Sequence, residues 1–110
     1  MVHIDTVLSL YPDASTRRRL LEEALAHLHD DLATLRVAVT AGDFRQARQQ
    51  AHRAKGTASF LGHVHALPAF DRLAAALDTG NARAVGPFYA RVEELLLGLE
   101  IQLRQHLAAL

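Results

Sequence analysis

The chain has 110 residues, half hydrophobic but only 5% aromatic, so we expect one domain over residues 1–110 built of helices rather than strands. Its twelve basic and twelve acidic side chains cancel, which argues against a nucleic-acid binder, and the lack of cysteine excludes disulfide scaffolds, thiol chemistry and cysteine-based zinc sites. No apolar run approaches the ~18 residues that span a bilayer and the start does not resemble a signal peptide, so we expect a cytoplasmic protein without membrane insertion.

The first two predicted helices are separated by a proline. The first runs from Ile4 to Tyr11 and ends there, because Pro12 disfavours the helical conformation of the residue before it. The second runs from about residue 16 to residue 41, with Asp13 or Ser15 as its N-cap. Its apolar residues recur every three or four positions, which is the period of a helix with one buried side: Leu21, Leu25, Leu28, Leu32, Leu35 and Val39.

The third predicted helix lies between two glycine turns. Asp43 follows Gly42 and is placed to cap the helix, with Gln46 three residues later as in a capping box. The helix stops at Gly62. The apolar side is made mostly of small residues, so this helix can approach its neighbours closely: Phe44, Ala47, Ala51, Ala54, Ala58 and Leu61.

Two further helices complete the chain. The fourth spans residues 65–79 with Pro68 in its first turn, and the fifth begins between Ala82 and Phe88, where Gly86-Pro87 marks the later start. The expected inward residues are Ala66, Ala69, Phe70, Leu73 and Leu77 on the fourth helix and Phe88, Val92, Leu95, Leu99, Leu103 and Leu107 on the fifth. These elements predict an all-α fold, an antiparallel four-helix bundle with a short extra N-terminal helix.

Few residues are arranged for catalysis or metal binding. The chain contains no Gly-x-Ser-x-Gly elbow, no His-Glu-x-x-His pair and no phosphate-binding glycine loop. The rings of His27 and His29 point to nearly opposite sides of a helix, and the pair His63 and His65 lacks an evident third ligand. We therefore predict no metal site and no cofactor, with a helical metal binder using His63 and His65 as a minor alternative.

His52 stands apart from the other histidines. On a helical wheel it lies outside the apolar side of the third helix, among Arg45, Arg48, Lys55, Gly56 and Ser59. Such cations can neutralise a phosphoryl group attached to the ring. Gly56 costs about 1 kcal/mol of helix stability relative to alanine, and a gap beside the ring for an approaching protein would explain it. The pattern alone also fits a solvated basic surface with an incidental histidine.

The segment 51–62, AHRAKGTASFLG, resembles the signature of histidine-containing phosphotransfer (HPt) domains: His-x-x-Lys-Gly, a small residue two positions after the glycine, and a second glycine ten after the histidine. Residues 7–13 and the turn 41–43 also resemble the corresponding family segments, and helix order and lengths agree over nearly the whole chain. His-x-x-Lys-Gly alone is a weak motif. Its combination with a helical bundle of this size is much more specific.

This resemblance implies a phosphorelay intermediate that carries a phosphoryl group on His52 between the aspartates of receiver domains. It implies no ATP-binding kinase site in this chain, with Mg²⁺ held by the receiver, and Lys55 as the residue that stabilises the phosphoryl group. The implied partners are response-regulator receivers or a hybrid sensor histidine kinase, and we expect a monomer. The candidate docking residues are Arg45, Arg48, Gln49, Ser59 and Phe60, although Phe60 could equally pack against a neighbouring helix.

The chain departs from the family at two positions. Ala54 stands where leucine is usual, and Ala74 stands where a Gln or Glu often faces the imidazole. Asp71 shares the side of the fourth helix with Ala74, and we expect it to accept the ring's hydrogen bond instead, although a solvated ring is also consistent. The alternative function is a non-catalytic helical module that docks a receiver or sensor kinase without phosphoryl transfer.

Overall fold

Helices account for nearly all of the described chain, which is residues 4–110 of a computed structural model. The α-helices are α1 (Ile4–Leu8), α2 (Ala14–Thr40), α3 (Phe44–Phe60), α4 (Leu67–Thr79) and α5 (Ala82–Ala108), and a 3-10 turn, Val64–Ala66, precedes α4. No strand occurs within residues 4–110, so the prediction of an all-α fold is confirmed. Residues 1–3 of the predicted 1–110 domain lie outside the described residues.

The four long helices form a bundle because each packs against two others. Helix α3 contacts α2 and α4, while α5 contacts the other sides of α2 and α4. Connections of a few residues between successive helices reverse the chain each time, which gives the predicted antiparallel order. No helix within the described residues is both long enough and apolar enough to cross a bilayer.

The two turns that bracket α3 follow from single residues. Asp43 caps the helix as predicted, because its carboxylate accepts the Gln46 N–H at 3.2 Å. The Asp43 N–H donates to the carbonyl of Ala38 at 2.9 Å, so the turn closes onto α2. Gly42 and Gly62 both have positive φ, 72° and 77°, which glycine adopts without steric cost. These two turns therefore fix the positions of both ends of helix α3.

Two predicted helix bounds near the N-terminus are wrong. Helix α1 ends at Leu8 rather than Tyr11, because the N–H groups of Leu10 and Tyr11 donate to carbonyls three residues back and form a turn. Helix α2 begins at residue 14, ahead of the predicted start. Asp13, rather than Ser15, is its cap and accepts the Thr16 N–H at 3.2 Å.

The start of α5 differs from the later option marked by Gly86-Pro87. Asn81 caps the helix by accepting the Arg83 N–H at 3.0 Å, so α5 begins at residue 82, the earlier option, and Pro87 lies inside it. Pro87 cannot donate a hydrogen bond to the preceding turn, and the cap at Asn81 stabilises the helix ahead of it. Helix α4 begins at Leu67, after the 3-10 turn, and keeps Pro68 in its first turn as predicted.

The core is made of the inward sides of all four long helices and of α1. The predicted apolar side of α3 is buried except for the half-buried Phe44. Phe88 was predicted to face inward and is 40% exposed, a wrong prediction, while Leu96, which was not among the predicted inward residues, is fully buried. Leu25, Val39, Ala69, Leu95 and Leu107 are half-buried. Ala24 and Ala38 are also buried, because α2 contacts both α3 and α5 and so buries more than one side.

Candidate functional site

The outward side of α3 presents His52 to solvent. The alanines of the same helix are at most 3% exposed, and this inward side turns the imidazole outward. Gln50, 5% exposed, joins the core as well and accepts a hydrogen bond from the Thr34 hydroxyl of α2 at 2.9 Å. The rotation of α3 about its axis is thereby set by packing on one side and by a polar contact with α2.

A shallow basin surrounds the exposed imidazole. Besides His52 it is lined by Arg45, Arg48, Gln49 and Arg53, with no carboxylate among the lining side chains. Arg45 and Arg48 were predicted to lie around the ring and Gln49 to be a docking residue, whereas Arg53, the residue directly after the histidine, was not predicted. The only signal for Arg53 was its charge, since it lies about 100° around the helix from His52. The basin can attract and hold an anion at the ring.

Lys55 forms an ion pair across the boundary between α3 and α4. Its Nζ lies 2.6 Å from Oδ1 of Asp71, and the side chains are 36% and 66% exposed. Asp71 was predicted to accept a hydrogen bond from the His52 ring, and the structure gives its carboxylate to Lys55 instead. The structure thus brings Lys55 and Asp71 into contact. The role predicted for Asp71 toward the ring stays a prediction.

A second ion pair lies beside the first along α3 and α4. Arg48 pairs with the carboxylate of Asp78 and donates to the backbone carbonyl of Ala74 at 3.3 Å. Ala74 therefore lies next to the basic side of α3 and contributes only its main chain to this contact. Asp71 and Asp78 of α4 thus partly neutralise Lys55 and Arg48, two of the cations around His52.

Gly56 and Phe60 line a groove between α2 and α3 on the other side of His52. The α2 wall of this groove includes Leu20, Glu23, Ala24, His27 and Asp31. A Cβ at Gly56 would meet no atom within 4 Å, so packing does not require glycine there. Phe60 is 52% exposed and does not enter the core, and Ser59 is exposed beside it. The predicted docking residues therefore all remain accessible around the histidine.

Charges within this groove oppose one another. Burial raises the pKa of the Asp31 carboxyl, and the nearby His27 and Arg53 act in the opposite direction. Glu23 adds a further carboxylate to the same wall. The groove is consequently of mixed charge, unlike the basin at His52.

His63 and His65 lie in different environments. His63 is 8% exposed and its Nδ1 has no hydrogen-bond partner, whereas His65 is exposed. Burial lowers the pKa of His63, because the charged imidazolium is poorly solvated there. Residues 4–110 contain no group of three or more His, Asp or Glu side chains placed to hold a metal ion.

Comparison with known proteins gives one match. The family model described as Hpt domain matches residues 19–110, which include all of α3, α4 and α5 and most of α2. Every candidate site residue lies inside the matched range. No curated protein and no solved structure matches this chain.

Proposed function

The chain belongs to the Hpt domain family, and we propose that His52 carries a phosphoryl group between receiver-domain aspartates in a multistep cytoplasmic phosphorelay. Members of this family are phosphoryl carriers in phosphorelays rather than kinases. The observation that carries the assignment to His52 is its position, exposed in a basin whose lining includes three arginines and no carboxylate.

The chemistry follows from the neutral imidazole. The lone pair of one ring nitrogen attacks the phosphorus of an aspartyl phosphate, a P–N bond forms, and the P–O bond to the aspartate breaks with its electron pair leaving on the carboxylate. The proton on the other ring nitrogen stays with the ring during the transfer. The same steps in reverse pass the group to a second receiver. Mg²⁺ and the acidic pocket belong to the receiver, so this chain supplies only the nucleophile and the surrounding charge.

Lys55 is the residue best placed to stabilise the transferred group. It lies three residues after His52, which puts both side chains on the same side of α3. Its present partner, Asp71, is an exposed carboxylate in a contact of the kind worth about 0–1 kcal/mol. A phosphoryl group carries more charge and more acceptor oxygens than a carboxylate, so Lys55 exchanges Asp71 for the phosphoryl group on transfer.

The receiver docks on the accessible residues around the ring. Arg45 and Arg48 supply charge that attracts an acidic active-site rim, while Gln49 and Ser59 supply polar contacts and Phe60 an apolar one. A single copy of the chain presents all of these residues, so transfer requires only a monomer. A response-regulator receiver, free or attached to a hybrid sensor histidine kinase, is the partner that this surface fits.

The deciding experiment incubates the protein with phosphorylated candidate receivers and follows the label. The proposal predicts transfer to this chain of a phosphate that is labile in acid and stable in base, as expected for phosphohistidine. A non-catalytic docking module would bind a receiver, measurable by calorimetry, and take no label. That result would replace the carrier function with the docking alternative.

A further inference from the structure

A second basic surface, with no carboxylate among its lining residues, lies between α4 and α5, away from the boundary between α3 and α4. Asp71 and Ala74 of α4 contact side chains of α3. Pro68 and Arg72, which project from another side of α4, line a groove of about 370 Å³ shared with α5. We call this the α4–α5 groove. No residue proposed for receiver docking lines it.

The charge of the α4–α5 groove has one sign. Its ionisable lining residues are His65, Arg72 and Arg91, and no carboxylate is among them. Within residues 4–110 Arg72 makes no ion pair. Arg91 pairs with Glu94 at 3.2 Å, where the two side chains are 58% and 72% exposed. Exposed contacts of this kind are weak, so both guanidinium groups remain available to an anionic partner.

The floor of the groove is apolar, which distinguishes it from the basin at His52. Pro68, Pro87, Phe88 and Leu95 form this floor. Phe88 exposes 40% of its surface although its spacing predicts a core residue. An aromatic side chain flanked by arginines is the composition typical of protein interfaces.

Gly86 and Pro87, which precede Phe88, destabilise helix α5 and have no evident structural role. A Cβ at Gly86 would meet no atom within 4 Å, and Gly86 does not have positive φ, so neither packing nor backbone conformation requires glycine. Pro87 lies inside α5 and cannot donate to the carbonyl of Arg83. Both residues lower helix stability. Pro87 lines the α4–α5 groove and Gly86 directly precedes it, which connects this cost with the groove.

We infer that the α4–α5 groove binds an acidic peptide segment of a partner protein. Carboxylates of the segment pair with Arg72 and Arg91, and one large apolar side chain packs on Phe88 and Leu95. Charge complementarity sets the sign of the partner, and the apolar floor requires an anchor that a simple anion lacks. Since no residue proposed for receiver docking lines the groove, the segment binds while a receiver occupies the histidine.

The test is a titration of the ¹⁵N-labelled protein with the synthetic peptide DDELFEDLD, followed by amide chemical shifts. We expect saturable shifts at Arg72, Phe88 and Arg91, with none centred on His52. The peptide DDESSEDSD, which lacks the anchors, and the peptide KKKLFKKLK, which reverses the charge, should bind much more weakly. Equal binding of all three, no shift in the groove, or shifts centred on His52 would overturn the inference.

Variants make the test specific. Arg72→Glu and Phe88→Ala are substitutions of exposed side chains, and each should weaken the peptide by about tenfold, the size expected for an interface anchor. Arg104→Glu, at the far end of α5, is the matched charge control and should bind as wild type. Arg72→Glu should also accept phosphoryl groups from a receiver at the wild-type rate. Wild-type peptide affinity in Arg72→Glu would contradict the assignment, whether or not His52 carries phosphate.

Discussion

The two sides of α3 differ in burial, and their residues therefore have different roles. The inward side is built of alanines that are at most 3% exposed and lie in the packed core. The outward side bears His52, Arg48, Lys55 and Gly56, with open space beside the glycine. Substitutions on one side should therefore change stability, and substitutions on the other should change phosphoryl transfer. The same helix thus separates the two properties.

The largest expected effect on the outward side is that of His52→Gln. Because the exposed ring makes no part of the core, the variant should unfold at the same urea concentration as wild type and accept no label from a phosphorylated receiver. Transfer assays with acid and base treatment, alongside urea titrations, measure both. A labelled His52→Gln protein would place the phosphorylated residue elsewhere.

Lys55→Ala should have the next largest effect. A charge-assisted hydrogen bond is worth about 1.5–3 kcal/mol, and at 1.36 kcal/mol per decade its loss slows transfer by roughly ten- to a hundredfold. Single-turnover rates with one receiver measure this. Arg83→Ala removes an exposed cation of α5 that does not line the basin at His52 and serves as the control. If both variants transferred at the wild-type rate, Lys55 would be only a solvated cation.

On the inward side, Ala58→Leu should destabilise the bundle. Ala58 is 0% exposed, and forcing a larger side chain into a packed core costs about 1–3 kcal/mol. Gln49→Leu introduces the same side chain on the exposed side of α3 and should leave the free energy of unfolding nearly unchanged. Urea unfolding of the two variants compares the sides directly. Equal destabilisation would show that the outward side is also packed.

Gly56→Ala should separate stability from function at one residue. A new Cβ meets nothing within 4 Å, so the higher helix propensity of alanine should raise the free energy of unfolding by about 1 kcal/mol. The same methyl group narrows the approach to His52, so transfer should become slower as the protein becomes more stable. Stopped assays and urea titrations on one preparation test this. If the variant were more stable and transferred the phosphoryl group at the wild-type rate, Gly56 would not be required for access to His52.

Asp71→Asn should give the smallest change in phosphorylation of His52, and the direction of that change is the most informative result. Without its carboxylate partner, Lys55 is free for the phosphoryl group, and the equilibrium amount of phosphate on His52 should rise by up to about fivefold, the range of an exposed ion pair. The gain should shrink in a Lys55→Ala background. If Asp71 instead held the phosphorylated ring through a hydrogen bond, the same substitution would lower the amount of phosphohistidine.

Much of the fold was predictable because helix signals are local. The caps and turns around α3 depend on Asp43, Gly42 and Gly62, which act within a few residues of their position, and these predictions were confirmed. The outward position of His52 follows equally from the helical period. The start of α5 was left open between Ala82 and Phe88 because two local signals competed there, and the helix begins at the earlier end of that range. The helix begins directly after the cap at Asn81 and continues through Pro87.

The sequence by itself determined which side of α3 faces the core and that a histidine with basic neighbours lies on the other side, since both follow from spacing within one helix. Only the tertiary structure decided that Asp71 meets Lys55 and that Asp78 meets Arg48, because those contacts depend on the register between α3 and α4. It also decided that Phe88 faces outward beside two arginines. Residues far apart in the chain become neighbours through packing, and no local period encodes that arrangement.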